Sequence, residues 1–307
     1  MATPAPSALL VRSGPVHLWT EGSGAPPSPT VLLIMGTAAP AAGWPDELVE
    51  LLAANGRHVI RFDHRDTGRS THLDFAAHPY ALADLAADAL AVLDGHRIAA
   101  AHVVGASLGG AVGQWLAVHR PERVRTLTAI MTGPMGHDPG PAWARALSGQ
   151  AADPDDLPPP SADFLAHLAH RAALPQRTRA EYITANLETW RVLSGPVLPF
   201  DEPAARHFVA TSFDRSPDHR AALNHDLAGR RLTADRLAPL SGITAPTLVL
   251  HGTEDPLRPL PHGRALAEAI PHARFHPVPG MGHSFFSPGL PRRLAELLLD
   301  HTAERRT

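Results

Sequence analysis

Short apolar runs that alternate with helical patterns constrain the fold of this chain more than any other feature. The clearest runs are Val31–Met35, Ala101–Gly105 and Thr247–His251, and helical patterns such as Asp46–Asn55 and Leu108–His119 lie between such runs. A continuous apolar run is typical of a strand buried on both faces, and strands separated by helices predict right-handed crossovers into a parallel sheet. We therefore predict an α/β fold, with a mostly parallel central sheet flanked by helices.

The two ends of this pattern predict how the chain is organised. At the start, Ala8–Val11 and the alternating Val16–Trp19 flank a Ser13-Gly14 turn, which indicates an edge hairpin. Near Gly133 the strand–helix rhythm stops, and it resumes only at Thr247. Residues 134–236 contain proline-rich breaks and helical patterns without a strand pattern. We predict a core of residues 1–133 and 237–307, interrupted by a helical cap, or lid, over residues 134–236.

Four aromatic residues of the predicted cap are candidates for substrate binding: Trp143, Phe164, Trp190 and Phe200. One interpretation makes them the core of a small helical subdomain. The other makes them the lining of a lid that faces the sheet, since long insertions over a sheet often carry function. The sequence leaves both interpretations open.

Two absences from the composition exclude several kinds of chemistry. The chain has 307 residues and no Cys, and its 27 basic residues are all Arg. Without Cys there is no thiol nucleophile, disulfide or thiolate metal ligand. Without Lys there is no Schiff base and no P-loop. No cofactor is expected.

Charge and hydropathy exclude further partners. The formal net charge is −3, which provides no basic surface for nucleic acid. The uncharged stretch Gly22–Pro45 contains too many prolines and glycines for a transmembrane helix, and no signal peptide is visible, so a cytoplasmic location is the default expectation. Among 20 His, the helical pair His167 and His170 lacks a third ligand at metal-binding spacing, and no metal site is predicted.

The strongest motif for function is Gly105-Ala106-Ser107-Leu108-Gly109, which has the pattern G-x-S-x-G. It lies between a predicted strand and a predicted helix, the context in which this pattern raises a serine above the carboxyl edge of a sheet. The small flanking residues let the backbone make the tight turn. Ser107 is therefore the candidate nucleophile, and the alternative is a small-residue turn needed only for packing.

A serine nucleophile needs a base and a carboxylate that orients the base. Where a serine lies at such a strand-turn-helix junction, the acid and then the histidine follow it along the chain. Asp255 is the candidate acid because it precedes a proline in the turn after a buried run, with Glu254 as its neighbouring rival and Asp138 as a distant one. His283 is the candidate base because it lies between glycines in the loop after the last predicted strand.

Two further segments are predicted to support the serine. An oxyanion hole needs two backbone N–H donors, which we assign to Leu108 and to Thr37, in the loop after the first buried strand. The charged turn at residues 63–70 contains His64 and Asp66, which a functional interpretation would make catalytic. We favour a structural one, in which Asp63, Arg65 and Asp66 form a hydrogen-bonded brace beneath that loop.

These motifs together resemble the α/β-hydrolase superfamily, and most closely its branch of anthracycline-tailoring methylesterases, which contains aclacinomycin methylesterase. The resemblance extends over nearly the whole chain and is carried by residues 43–47, 63–70, 105–109, 190–195, 199–201 and 279–283. It implies a triad of Ser107, Asp255 and His283, an oxyanion hole of Thr37 and Leu108, and hydrolysis of a small-molecule carboxylic ester by water. A methyl ester on a polyketide is the substrate that it suggests.

One departure from the superfamily pattern affects the pocket, and three alternatives stay open. Met35-Gly36-Thr37 stands where a His-Gly or Gly-Gly pair is expected, and the branched Thr37 narrows the loop. The same triad would serve another acyl bond (lactone, thioester, amide or a C–C bond beside a ketone) or cofactor-free perhydrolase or haloperoxidase chemistry. A catalytically idle fold that binds a ligand is the non-enzymatic alternative. No oligomeric state is predicted.

Overall fold

The computed structural model describes residues 7–24, 26–172, 174, 178–229 and 239–303. Within them the chain forms a single eight-stranded sheet. The strands are β1 (Ser7–Ser13), β2 (Val16–Ser23), β3 (Thr30–Ile34), β4 (His58–Phe62), β5 (Ala101–Ala106), β6 (Val124–Ile130), β7 (Thr247–Gly252) and β8 (Arg274–Val278).

The strand order is β1-β2-β4-β3-β5-β6-β7-β8. The hairpin strands β1 and β2 pair antiparallel with each other, and β2 pairs antiparallel with β4. All other neighbours are parallel, which confirms the predicted mostly parallel sheet. All the parallel strands therefore end at the same edge of the sheet, and their following loops meet there.

The hairpin turn lies one residue later in the chain than predicted. Ser13 pairs with Val16, so the two-residue turn consists of Gly14 and Pro15 and not of Ser13 and Gly14. Gly14 has a φ of +55°, in the left-handed region that glycine enters without steric cost. The turn position therefore follows from where the chain can accept a positive φ.

Helices cover both faces of the sheet. Successive side chains of the central strands point to opposite faces, so both faces present apolar residues that the helices bury. Leu32 and Ile34 belong to one buried cluster, which includes residues of α2 (Leu82–Gly95) and α3 (Leu108–His119). Val31 and Leu33 belong to a second cluster on the other face, with α1 (Asp46–Ala54) and α10 (Leu290–His301). This two-sided burial explains why the strands are continuous apolar runs.

A set of helices separates β6 from β7, and we call it the helical segment. It comprises α4 (Gly140–Leu147), α5 (Ala162–Ala172), α6 (Arg179–Leu193), α7 (Glu202–Arg215) and α8 (Asn224–Gly229). The described part of this insertion contains no strand, in agreement with the sequence pattern. The predicted boundary between residues 236 and 237 lies outside the described residues. After it, α9 (Pro261–Ala269) connects β7 to β8.

None of the helices within the described ranges is long and apolar enough to cross a membrane.

Candidate active site

Ser107 lies at the turn between β5 and α3, in a strained backbone conformation. Its φ is +52° and its ψ is −115°, a region that residues other than glycine rarely enter. The Ser107 N–H donates to the Ile130 carbonyl of β6 at 2.9 Å, which continues the sheet ladder up to the turn. Strain of this kind costs on the order of 1–3 kcal/mol and persists only where surrounding structure holds it. The local geometry is that of a nucleophile elbow.

The two glycines of the motif are required by close backbone contacts. A Cβ at Gly105 would lie 2.1 Å from the carbonyl oxygen of Gly109, and a Cβ at Gly109 would lie 2.0 Å from the carbonyl oxygen of Ile34. No side chain fits at either position without moving backbone. The G-x-S-x-G pattern therefore records how tightly α3 packs against β3 and β5.

Asp255 and His283 form a buried hydrogen-bonded pair. Asp255 follows β7, His283 follows β8, and His283 Nδ1 lies 2.7 Å from Asp255 Oδ2. The backbone N–H groups of Leu257 and Arg258 donate to Asp255 Oδ1 at 3.0 and 2.7 Å and fix the carboxylate plane. Because an ionised carboxylate only accepts, Nδ1 carries the imidazole proton, and Nε2 is left with a lone pair that can accept another.

The rival acids lie elsewhere. Glu254 Oε1 accepts a hydrogen bond from Thr253 at 3.1 Å, and Asp138 is exposed and caps its own turn through the Gly140 N–H at 2.9 Å. Within the described residues no hydrogen bond joins the Ser107 hydroxyl to His283. In unliganded sites this bond is commonly long and tightens with substrate. The structure thus pairs His283 with Asp255 and not with either rival.

We call residues 36–38, after β3, the oxyanion loop because they contain the predicted donor Thr37, and Gly36 lies directly against the serine. A Cβ at Gly36 would be 3.2 Å from the Cβ of Ser107. Leu108 is the first residue of α3, so its N–H has no intrahelical acceptor and lies at the positive end of the helix dipole. Leu108 and the residue before Thr37 therefore lie next to Ser107, and the Thr37 and Leu108 N–H groups stay the predicted oxyanion donors.

The charged turn at residues 63–70 is a buried hydrogen-bonded network that contacts the chain on both sides of the oxyanion loop, at Met35 and Ala41. Asp63 Oδ1 accepts from the Ala41 N–H at 2.8 Å, and Arg65 pairs with the buried Asp88 at 2.7 Å. Asp66 accepts from the Tyr80 hydroxyl at 2.6 Å. His64 is fully buried and its Nε2 donates to the Met35 carbonyl at 2.9 Å. Burial lowers the pKa of His64, so these side chains hold structure and contribute no exposed acid or base.

Two histidines at the site were missed by the sequence analysis. His225, from the helical segment, accepts a hydrogen bond from the Ala38 N–H of the oxyanion loop at 3.0 Å. His251, at the end of β7, places Nε2 2.6 Å from the Arg258 carbonyl and 3.5 Å from Asp255 Oδ2. A polar residue at the end of a buried apolar strand is a usable signal for His251. No local pattern distinguishes His225, because its partner is 187 residues away along the chain.

The four aromatic residues proposed to bind substrate are distributed through the helical segment. Trp190 packs edge-on against Phe208 and Phe286, at centroid distances of 5.4 and 5.2 Å. Phe200 lies under the guanidinium of Arg191 at 4.7 Å. Phe164 is buried in α5, and Trp143 is half-buried in α4. These contacts assign Trp190 to the packing of the helical segment against the core, and they leave substrate binding by all four residues a prediction.

A cavity of about 350 Å³ among the described residues does not contain the serine. It lies between α7 and the core segments 42–47 and 285–291, and neither Ser107, Asp255 nor His283 lines it. This cavity is thus located at the junction of the helical segment with the core. The candidate catalytic residues therefore lie outside this cavity.

No group of three or more His, Asp or Glu residues in the described ranges is arranged to hold a metal ion. His167 instead places Nε2 2.9 Å from the Thr189 hydroxyl.

The strand order, the serine turn and the loops that carry Asp255 and His283 define a class of protein. A family model for the α/β-hydrolase fold matches residues 29–290, and the chain belongs to that family.

The relatives narrow this class. The chain is 41% identical over 280 residues to a rhodomycin D methylesterase, DnrP, of Streptomyces peucetius, covering 90% of this chain and 91% of the relative. It is 41% identical over 275 residues to the rhodomycin D methylesterase DauP of Streptomyces sp. strain C5, covering 90% and 91%. Among solved structures, a hydrolase from Pseudomonas aeruginosa PA01 superposes with a TM-score of 0.69 at 25% identity, covering 97% of this chain and 98% of the other.

Proposed function

We propose that this chain is a serine hydrolase that cleaves a carboxylic ester, with Ser107 as nucleophile, His283 as general base and Asp255 as the carboxylate that orients it. The observation that carries the proposal is the 2.7 Å hydrogen bond between His283 Nδ1 and Asp255 Oδ2. It leaves Nε2 as a proton acceptor at the sheet edge where the strained Ser107 turn lies.

The first half of the proposed reaction forms an acyl-enzyme. Ser107 Oγ attacks the ester carbonyl carbon while His283 Nε2 takes the hydroxyl proton. The carbonyl oxygen becomes an oxyanion and accepts hydrogen bonds from the N–H groups of Thr37 and Leu108. The intermediate then collapses, the C–O bond to the alcohol breaks, and His283 returns its proton to the departing alkoxide.

The second half uses water in the place of the serine. His283 Nε2 takes a proton from a water molecule, whose oxygen attacks the acyl carbon. Collapse of this second tetrahedral intermediate breaks the bond to Ser107 Oγ, and His283 protonates the serine. The products are a carboxylic acid and an alcohol, so the substrate and water are the only partners that this chemistry requires.

The proposed substrate is a methyl ester on a polyketide-type carboxylic acid. Identity of 41% across nine tenths of the chain with two proteins named rhodomycin D methylesterases supports this choice. We further propose that the helical segment acts as the cap over the site, with Trp143, Phe164, Trp190 and Phe200 contributing to substrate binding. Hydrogen bonds between the helical segment and the loops that carry Ala38, Pro256 and His283 support a position above the site.

A turnover assay with a matched control tests the proposal. Methanol release from an aromatic polyketide methyl ester is measured for the wild type, Ser107→Ala and Ser148→Ala, which removes an exposed serine at the end of α4. We expect S107A to lower kcat by at least about 10⁴-fold and S148A to leave it unchanged. Turnover by S107A at the wild-type rate would contradict the assignment of Ser107 as the nucleophile.

A substrate panel with one acyl group tests the ester assignment. We expect kcat/KM for the methyl ester to exceed that for the matching amide and thioester by at least about tenfold, because the pocket is then complementary to an ester in its transition state. A higher kcat/KM for the amide or the thioester would contradict the assignment of an ester substrate, and it would not contradict the proposed triad.

A further inference from the structure

A turn in the oxyanion loop has an unfavourable backbone conformation that a side chain from the helical segment stabilises. The Ala39 N–H donates to the Gly36 carbonyl at 3.3 Å, so residues 36–39 form a four-residue turn. Its third residue, Ala38, has a φ of +58°. A positive φ at this position is typical of a type II turn, where glycine or asparagine is normally found. An alanine there needs an external contact to hold it.

His225 supplies that contact. Its Nδ1 accepts from the Ala38 N–H at 3.0 Å, and its Nε2 lies 2.9 Å from the Arg65 carbonyl. Because an amide N–H only donates and a carbonyl only accepts, the ring must be the neutral tautomer with the proton on Nε2. The side chain is buried with 1% exposure. One imidazole thus joins the oxyanion loop to the charged turn.

The groups around His225 keep it in that state. The ring meets His64 edge-to-face at 5.5 Å and Tyr80 at 6.5 Å. Desolvation, and after it the nearby His64, lowers the pKa of His225 to about 3. Protonation would remove the lone pair that Ala38 requires, and burial prevents it throughout the neutral range.

The direction of the Ala38 N–H decides on which side of the oxyanion loop the Thr37 carbonyl oxygen lies, because both groups belong to the same peptide. Type I and type II turns differ by reversal of the central peptide, here the one between Thr37 and Ala38. An acceptor at the Ala38 N–H selects one of the two orientations. Because the Ala38 N–H already donates to this acceptor, the Thr37 N–H is left as the loop donor for the oxyanion.

We propose that His225 is a positioning residue for the reaction: by accepting the Ala38 N–H it holds the oxyanion loop in the turn that presents the Thr37 N–H to the oxyanion. This inference rests on the proposed function. Its consequence is that α8 of the helical segment supplies part of the catalytic geometry, so the insertion does more than cover the substrate.

Three variants separate the hydrogen bond from the packing. His225→Asn keeps an oxygen where Nδ1 accepts from Ala38, and His225→Phe keeps the ring without either hydrogen bond. Asn224→Ala is the matched control, because the neighbouring Asn224 Nδ2 joins α8 to the core through Asp66 Oδ2 at 3.0 Å and does not contact the oxyanion loop. Urea unfolding of each variant establishes that it is folded.

Steady-state kinetics with p-nitrophenyl acetate give the expected split. Since displacement of one oxyanion donor costs up to about 10²–10³-fold, we expect H225F to lower kcat by about 10–100-fold with little change in KM. H225N recovers most of this loss, and N224A stays within about twofold of the wild type. A boronic acid, which mimics the tetrahedral intermediate, binds H225F more weakly in proportion to the lost kcat/KM, whereas acetate binds unchanged. An H225F variant with wild-type kcat, or an equal loss in N224A, overturns the inference.

Hydrogen exchange tests the contact without any turnover. We expect the Ala38 amide to exchange at least about tenfold faster in H225F than in the wild type and to stay protected in N224A. Equal exchange of this amide in the wild type and H225F overturns the inference. If the wild type hydrolyses no ester, the proposed function fails, and the exchange rates still decide whether His225 holds the loop.

Discussion

At the scale of single residues, the orientation of Asp255 determines what His283 can do. One carboxylate oxygen accepts two backbone N–H groups and the other accepts from His283 Nδ1. The side chain therefore cannot rotate without losing donors, and the imidazole cannot change tautomer without facing an oxygen that offers no proton. The same logic applies to His225, whose two partners allow one tautomer only.

Replacing Asp255 by asparagine tests this orientation. The two backbone donors hold the amide oxygen, so the amide nitrogen faces His283 Nδ1 and favours the tautomer that has its proton on Nε2. We expect D255N to lower kcat by about 10⁴-fold with the fold intact. Glu254→Gln, one residue away, is the control and keeps wild-type activity. Equal losses in the two variants would show that the loop, and not the carboxylate, matters.

The residues that the sequence could predict are those whose role is local. Ser107 is marked by the glycines that its turn requires, and His283 and Asp255 are marked by loops that directly follow strands. His225 and Asp88 could not be found this way. Their partners are Ala38 and Arg65, which approach only after the sheet has formed. A polar side chain whose partner is remote has no sequence signature.

At the scale of elements, hydrogen bonds and an ion pair join the helical segment to core loops that contain or adjoin the candidate site residues. The His283 N–H donates to the Leu193 carbonyl at the end of α6 at 2.6 Å, and the Ser161 N–H donates to the Pro256 carbonyl at 2.7 Å. On α7, Arg215 pairs with the fully buried Asp63 at 2.9 Å and stacks over Trp19. Each contact joins the insertion to a strand-end loop, so the stability of α6 and α7 and the geometry of the site depend on each other.

The Arg215–Asp63 pair gives a stability prediction at this scale. We expect Arg215→Met to lower the free energy of unfolding by roughly 2 kcal/mol, because Asp63 stays buried and keeps only its backbone donors from Ala41 and Arg69. Arg179→Met is the control: its pair with Asp214 is half exposed on both sides, so solvent screens it and the urea midpoint changes little. Equal midpoint shifts would contradict the assigned role of Asp63.

At the scale of the whole molecule, the mostly parallel sheet was predictable and the arrangement of the insertion was not. Buried strands produce uninterrupted apolar runs, and right-handed crossovers leave few topologies to consider. The helices of the insertion have mixed patterns, and they are held by long-range contacts such as Arg215–Asp63 and His225–Ala38. The sequence predicts that the insertion is helical, whereas which helix faces meet the core depends on contacts that no local pattern records.

Buried neutral histidines make the stability of the whole molecule depend on pH. Desolvation lowers the pKa of His102 and His262 to about 4 and that of His225 to about 3, from the ordinary histidine value of 6.5. The unfolded chain therefore binds more protons than the folded one between about pH 6.5 and 4, and stability falls as the pH decreases through that window. We expect the free energy of unfolding to drop by a few kcal/mol between pH 7.5 and 5, on the order of 2 kcal/mol for each such histidine.

Urea unfolding at the two pH values measures this drop. His102→Gln removes one of the three groups and makes the drop smaller, whereas His207→Gln removes an exposed histidine and leaves it unchanged. A free energy of unfolding that is flat from pH 7.5 to 5 would contradict the burial of these rings as neutral groups.

The central claim is that Ser107 is a nucleophile activated by the His283–Asp255 pair, and covalent labelling tests it most directly. The chain is incubated with a fluorophosphonate, and the modified peptide is identified by mass spectrometry for the wild type, S107A and D255N. The account predicts one adduct per chain, on Ser107, none in S107A, and strongly slowed labelling in D255N. An adduct on another residue, or labelling of S107A at the wild-type rate, would contradict it.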